Sequence, residues 1–257
     1  MRYLRPFCHM RFRFPTLRRL LCIGLLLLFA TSTVEAQRKK VGVVLSGGGA
    51  KGVAHIGVLQ VLEKAGIPVD VIVGTSMGSI VGGLYAIGYS ADQLDSLVRV
   101  QDWMFLLSDK VNRYDLPFGE KEQDGKYLLS LPFDRGKKRP SGFISGQNVY
   151  NLFSDLTIGY HDSLDFLQLP IPFACVAADM FHREEIVMKG GNLVQAMRAS
   201  MAIPGVFTPV RTGNRVLVDG GILNNFPTDV ARELGAEIVI GVDVQADLMK
   251  EDKLESV

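Results

Sequence analysis

Cysteine, histidine and excess charge are all scarce in this 257-residue chain, and each shortage removes a class of explanation. There are three cysteines, Cys8, Cys22 and Cys175, and the first two fall in an N-terminal segment that reads as an export signal. A single thiol in the body closes no internal disulfide, so the fold must rest on its core. Cys175 sits within the apolar run Phe173-Ala174-Cys175-Val176-Ala177, the setting of a buried, inert thiol rather than a nucleophile. Of the four histidines, only His55, His161 and His182 lie beyond the same segment, so candidates for an imidazole base are few.

Charge is nearly balanced, at a formal net +1, but it is unevenly placed. The first 36 residues hold Arg2, Arg5, Arg11, Arg13, Arg18, Arg19 and one acid, Glu35. Removing them from 28 basic and 27 acidic residues leaves 22 against 26, a net of −4. A mildly acidic body excludes broad, charge-driven binding to nucleic acid. No apolar run is long. The longest of note, residues 20–30, falls short of the roughly 20 residues that span a bilayer. It follows Arg18-Arg19 and precedes Thr31-Ser32-Thr33 and Val34-Glu35-Ala36. A basic start, a short apolar stretch and a small-residue end predict a secretory signal peptide over 1–36, leaving one domain over 37–257. Its rival is an uncleaved N-terminal anchor. Cys22 lies inside the apolar stretch, away from the cleavage point, so lipid modification there is not expected. The expected location is the periplasm, the outer membrane or the extracellular space.

The chain as a whole is 47% hydrophobic, and its body shows a regular alternation of elements. The run Val41-Gly42-Val43-Val44-Leu45 is short, β-branched and glycine-bounded, and predicts a buried strand. Helical spacing follows over 50–65, a second strand over 69–73, and a helix rich in small residues over 76–86. Ser90-Ala91-Asp92-Gln93 is a capping box opening a helix to about residue 100. Residues 108–146 are irregular, with a strand-like fragment at 127–131. Further on come a helix over 146–157, strands over 173–177 and 185–188, and a helix over 193–199. A hairpin of 206–210 with 215–218, a helix over 228–234 and a strand over 237–244 complete the pattern. This alternation predicts a three-layer α/β/α sandwich with a mainly parallel central sheet.

Three glycine motifs carry the chemistry. Gly47-Gly48-Gly49-Ala50-Lys51-Gly52 follows a strand and opens a helix, where flexible backbone can aim N–H groups at an anion. Read literally it also fits a dinucleotide fingerprint, but Asp70 begins the second strand instead of ending it, where a ribose would need it. A phosphate P-loop fails because Gly52, not Ser or Thr, follows Lys51. The second motif, Gly74-Thr75-Ser76-Met77-Gly78, stands between a strand and a helix. That context makes a sharp elbow with an exposed serine hydroxyl, and it turns the Met77 N–H toward the place where an oxyanion forms. Without that chemistry, Ser76 is a helix N-cap. The third motif, Asp219-Gly220-Gly221, ends a strand and offers a carboxylate base; taken alone it is an ordinary turn.

Together, and in this order, the three motifs resemble the patatin-like phospholipase family. The segment Arg198-Ala199-Ser200-Met201-Ala202-Ile203-Pro204-Gly205-Val206-Phe207 is also similar to that family's block before the aspartate motif. The resemblance spans about residues 41–244. It implies a serine acyl-ester hydrolase with a Ser76–Asp219 dyad and no metal or organic cofactor. Its oxyanion hole would comprise Gly47, Gly48, Gly49 and Met77, supported by Ala50, Lys51, Gly52, Gly74, Gly78, Gly220 and Gly221. The substrate would be a phospholipid or other lipid ester. Exported relatives often continue into a membrane β-barrel, so the chain reads as a fragment or a free-standing form. Two rivals stay open: a Ser-His-Asp esterase, for which no histidine follows His182, and a catalytically silent binding or assembly domain. The apolar cluster Trp103, Met104, Phe105, Leu106 and Leu107, with the basic run Arg135, Lys137, Lys138 and Arg139, suits peripheral contact with an anionic membrane.

Overall fold

The computed structural model describes residues 38–108, 110–111 and 142–245. The expected export signal, the strand-like fragment expected at 127–131 and the basic run from Arg135 to Arg139 lie outside those residues. Seven strands form one sheet: β1 Val41–Leu45, β2 Val71–Thr75, β3 Phe173–Asp179, β4 Glu184–Met188, β5 Val210–Thr212, β6 Arg215–Asp219 and β7 Ile238–Val242. The order β7-β1-β2-β3 is parallel throughout. β3 then pairs antiparallel with β4 and with β6, and β6 with β5. The sheet is therefore mixed, a parallel half joined to an antiparallel wing, because the wing is built from hairpins.

Seven helices lie among the described residues: α1 Ala54–Lys64, α2 Met77–Ala86, α3 Ala91–Val100, α4 Trp103–Leu106, α5 Gln147–Leu156, α6 Leu193–Ser200 and α7 Thr228–Glu233. Strand alternation sorts the core into two layers. Val43, Leu45, Ile72, Phe173 and Cys175 face a large cluster with residues of α1 to α6, among them Leu59, Leu84, Leu94, Phe153 and Met197. Val44, Val71, Val73, Ala174 and Val176 face the opposite way, onto Val230 and Ala231 of α7. Helices thus cover both faces, as the alternation predicts. The small residues of α2 bring it close: a side chain at Gly82 or Gly83 would touch Ile72, Phe173 or Met197.

Several boundaries differ from the sequence reading, each for a local reason. β2 starts at Val71 because the Asp70 carboxylate accepts the Val41 N–H at 2.7 Å. It extends through Gly74 and Thr75 because β3 pairs with both. The helix expected from residue 50 begins as a 3-10 turn, Gly49–Val53, with Gly49 at φ +55°. The hairpin is Val210–Thr212 with Arg215–Asp219, whereas Gly205–Phe207 pairs in parallel with Gly142–Ile144. That last pairing is distant in sequence and leaves no local pattern.

One detail of register places the site. On a single edge of β3, β2 pairs with its first half, up to Thr75 opposite Val176. On the same edge β6 pairs with its second half, down to Asp219 opposite Ala177, while β4 takes the other edge. β2 and β6 run toward each other, so their C-terminal ends meet at a seam between Val176 and Ala177.

Candidate active site

Ser76 is the first residue beyond β2 and caps the N-terminus of α2, with φ 54° and ψ −122°. A non-glycine residue there stores strain of about 1–3 kcal/mol. The surroundings enforce it. A side-chain carbon on Gly78 would stand 2.6 Å from the Leu45 carbonyl carbon, and one on Gly74 would stand 2.6 Å from the Ser79 nitrogen. Only glycine at both positions lets the strand turn directly into the helix. The Ser76 carbonyl accepts the Ser79 hydroxyl at 2.6 Å, and its N–H donates to the Ser200 hydroxyl at 2.9 Å.

Across the seam, the Ser76 hydroxyl donates to Asp219 Oδ2 at 2.6 Å. The other oxygen, Oδ1, accepts the Gly221 N–H at 2.7 Å, and the Asp219 N–H donates to the Ala202 carbonyl at 2.9 Å. Gly220 backs onto the Val176 carbonyl too closely for a side chain. Burial raises the Asp219 pKa above its ordinary 3.8, with the Ser76 and Gly221 hydrogen bonds lowering it in part. The arrangement is a hydroxyl hydrogen-bonded to a carboxylate of heightened basicity, with no imidazole between them.

The histidines are engaged elsewhere. His55 is fully buried, burial lowers its pKa, and Nε2 meets the Ser46 carbonyl at 2.8 Å. The nitrogen facing a carbonyl carries the proton, so Nδ1 is bare, and it has no partner among the described residues. His161 meets the Ser154 carbonyl at 2.8 Å. His182 Nδ1 meets Asp179 Oδ2 at 2.6 Å, in a cluster that also holds Glu184 and Arg215. Asp179, His182 and Glu184 are close enough to share a cation, but the Arg215 guanidinium already stands against both carboxylates, 3.9 Å from Asp179 and 3.3 Å from Glu184. Cys175 is fully buried, which drives its thiol pKa far up and leaves it unreactive.

The glycine loop stands over Ser76. Gly47 departs from the role expected of it, because its N–H donates to the Asn225 carbonyl at 3.2 Å. The N–H groups of Gly48, Gly49 and Met77 have no acceptor among the described residues. Gly52 faces Met77, whose Cβ would lie 2.6 Å from a side-chain carbon there. Two cavities open from Ser76. One, of about 490 Å³, is polar: Lys51, Asn225, Asp219 and Gln245 line it with the glycine loop. The other, of about 350 Å³, is apolar, with Trp103, Leu107, Ile144, Met201, Val206 and Phe207 in its wall beside Ala50 and Met77. The expected apolar cluster is thereby divided: Leu106 enters the core, Met104 is 85% exposed, and Trp103 and Leu107 face the cavity.

Sequence reading missed Ser200 and Asn225. Asn225 holds Gly47 from both sides, through its carbonyl and through Nδ2 to the Gly47 oxygen at 3.3 Å. Its only signal was position, four residues past the aspartate motif's last glycine. Ser200 lay within the segment before that motif but had no assigned task.

Comparison with known proteins gives the chain a family and a fold. The sequence profile described as Patatin-like phospholipase matches residues 43–232. The chain is 34% identical over 206 residues to human patatin-like phospholipase domain-containing protein 6, covering 79% of this chain and 13% of that protein. It is 32% identical over 213 residues to lysophospholipase NTE1 of Debaryomyces hansenii, covering 81% of this chain and 12% of that one. The chain thus matches only a small part of these relatives' length. Among solved structures, VipD from Legionella pneumophila shares the fold, with a TM-score of 0.52 and 18% identity over 86% of this chain and 52% of that one.

Proposed function

This chain belongs to the patatin-like phospholipase family, and on that premise we propose that it is a serine acyl-ester hydrolase acting on phospholipids or lysophospholipids. The observation that carries the reading is the 2.6 Å hydrogen bond from a strained, elbow-borne serine to a buried carboxylate of raised pKa. Ser76 Oγ attacks the ester carbonyl while Asp219 Oδ2 takes its proton. The free N–H groups of Gly48, Gly49 and Met77 receive the negative oxygen, and one such donor is worth about 3–4 kcal/mol of barrier. Protonated Asp219 returns the proton to the leaving alcohol. Water then attacks the acyl-enzyme, giving its proton to Asp219, and the free acid departs as Ser76 regains its hydrogen.

The two cavities suggest how a lipid lies. The acyl chain fills the apolar cavity, and the leaving alcohol with its head group occupies the polar one, where the Lys51 ammonium suits a phosphate. Trp103, Leu107, Ile203 and Val206 line the apolar cavity and stay 37–45% exposed, a rim suited to a lipid surface. Membrane contact through this rim and the basic run 135–139 is part of the proposal. So is export, which N-terminal sequencing tests: mature protein is expected to begin near Gln37, and retention of Met1 would refute cleavage. For the activity, Ser76→Ala is expected to abolish both p-nitrophenyl ester turnover and fluorophosphonate labelling, with the fold retained. An alanine variant keeping more than a few per cent of the turnover would overturn the nucleophile assignment.

A further inference from the structure

We infer that Ser200 is a positioning residue for the nucleophile, and that the segment Ser200-Met201-Ala202 is a clamp setting the distance between Ser76 and Asp219. This rests on the reading of Ser76 as the nucleophile and goes a step beyond it. The seam between β2 and β6 poses a hydrogen-bonding problem. β2 leaves the ladder after Thr75 and β6 arrives only as far as Asp219, so the Ser76 N–H points away from any strand partner. The Val176 carbonyl opposite is likewise left between two strands. An unpaired N–H and carbonyl in a dry interior are costly.

The Ser200 hydroxyl resolves both. It accepts the Ser76 N–H at 2.9 Å and donates its own hydrogen to the Val176 carbonyl at 2.6 Å, and Ser200 is fully buried. A hydroxyl is suited to this task because it donates and accepts at one atom. Two residues on, the Ala202 carbonyl takes the Asp219 N–H at 2.9 Å. The end of α6 therefore holds the backbone of each partner by one hydrogen bond, and the 2.6 Å contact between their side chains lies across that span. Among the described residues, the Ser200 hydroxyl is the acceptor of the Ser76 N–H. Packing at Gly74 and Gly78 holds the turn itself, but without the Ser200 oxygen the N–H side of Ser76 is no longer tied to the seam, and Oγ shifts from the line joining the carboxylate and the glycine loop.

The role is kinetic as well as structural, which makes it separable. In Ser200→Ala the cavities and the glycine loop are untouched, so KM for p-nitrophenyl butyrate is expected to stay within about twofold. The value of kcat per fluorophosphonate-titrated site is expected to fall by roughly ten- to hundredfold, as loss of a buried pairing held in the transition state implies. Ser200→Thr keeps the hydroxyl and is expected to recover most of kcat. A kcat for Ser200→Ala within twofold of wild type, or an equal fall for Ala and Thr in folded protein, would overturn the clamp. If Ser200→Ala does not fold, Ser200→Cys, of nearly equal volume but a poor donor, carries the same expectation and the same refutation. Ser76→Ala distinguishes the layers: an active Ser76→Ala variant removes the nucleophile itself, whereas a dead Ser76→Ala beside a fully active Ser200→Ala removes only the clamp.

Discussion

At the scale of single residues, the central feature is a carboxylate made more basic by burial and set against a hydroxyl. In the proposed mechanism Asp219 acts as a base only when ionised, so activity is expected to fall as pH drops through its pKa. Because burial raises that pKa, the acidic limb of kcat/KM for a neutral, soluble ester is expected above pH 3.8. A profile flat down to 3.8 would contradict the environment assigned to Asp219. The same burial has a consequence for stability. A carboxyl with a raised folded-state pKa favours folding while protonated, below its unfolded value, and loses that advantage as pH rises through the folded value. Ser76, Asp219 and the glycine loop were legible as a candidate site because each belongs to a short motif at a strand end. Ser200 and Asn225 were not, because their partners lie 124 and 178 residues away in sequence. Gly47 was misread for the same reason: the Asn225 carbonyl that takes its N–H arrives from the far end of the chain.

At the scale of elements, the elbow depends on how closely α2 approaches the sheet. Gly78 and Gly83 both lie on α2 and both are buried, but what they face differs. A side chain at Gly78 meets the backbone of Leu45 and Ser46, with the Ser46 oxygen at 2.7 Å. One at Gly83 meets the end of a flexible side chain, Met197 Sδ at 2.8 Å. Urea denaturation is therefore expected to show Gly78→Ala destabilised by about 3 kcal/mol or more and Gly83→Ala by no more than about 1 kcal/mol. Equal losses would contradict the elbow packing. Strong local signals marked the elements well. The Ser90–Gln93 capping box forms as expected, with the Ser90 hydroxyl accepting the Gln93 N–H at 3.2 Å and the Gln93 side chain accepting the Ser90 N–H at 2.8 Å. Boundaries set by cross-strand register were less legible, since Gly74 and Thr75 read as a turn until β3 is placed beside them.

At the scale of the molecule, two strands converging on one edge of a third convert distant sequence motifs into one site. The α/β alternation was readable from periodicity, but the antiparallel wing that delivers Asp219 was not fully so, because Val206 and Phe207 of the expected hairpin arm belong to a strand that pairs elsewhere. The apolar rim adds a second whole-molecule expectation. Replacing Trp103 and Leu107 by Ser is expected to weaken sedimentation with anionic vesicles several-fold and to slow hydrolysis of long-chain esters more than of acetate esters. Unchanged vesicle binding and an equal effect on both esters would remove the rim from the proposal.

The most direct test of the account is the rate of p-nitrophenyl butyrate hydrolysis by Asp219→Asn, set beside the double variant His161→Gln/His182→Gln. A carboxylate that itself takes the serine proton predicts a loss of about a thousandfold or more for Asp219→Asn. The histidine pair, bonded to Ser154 and Asp179, is expected to stay within about fivefold of wild type. If the histidine variant is dead while Asp219→Asn keeps a substantial rate, the base is an imidazole and the Ser76–Asp219 account is wrong.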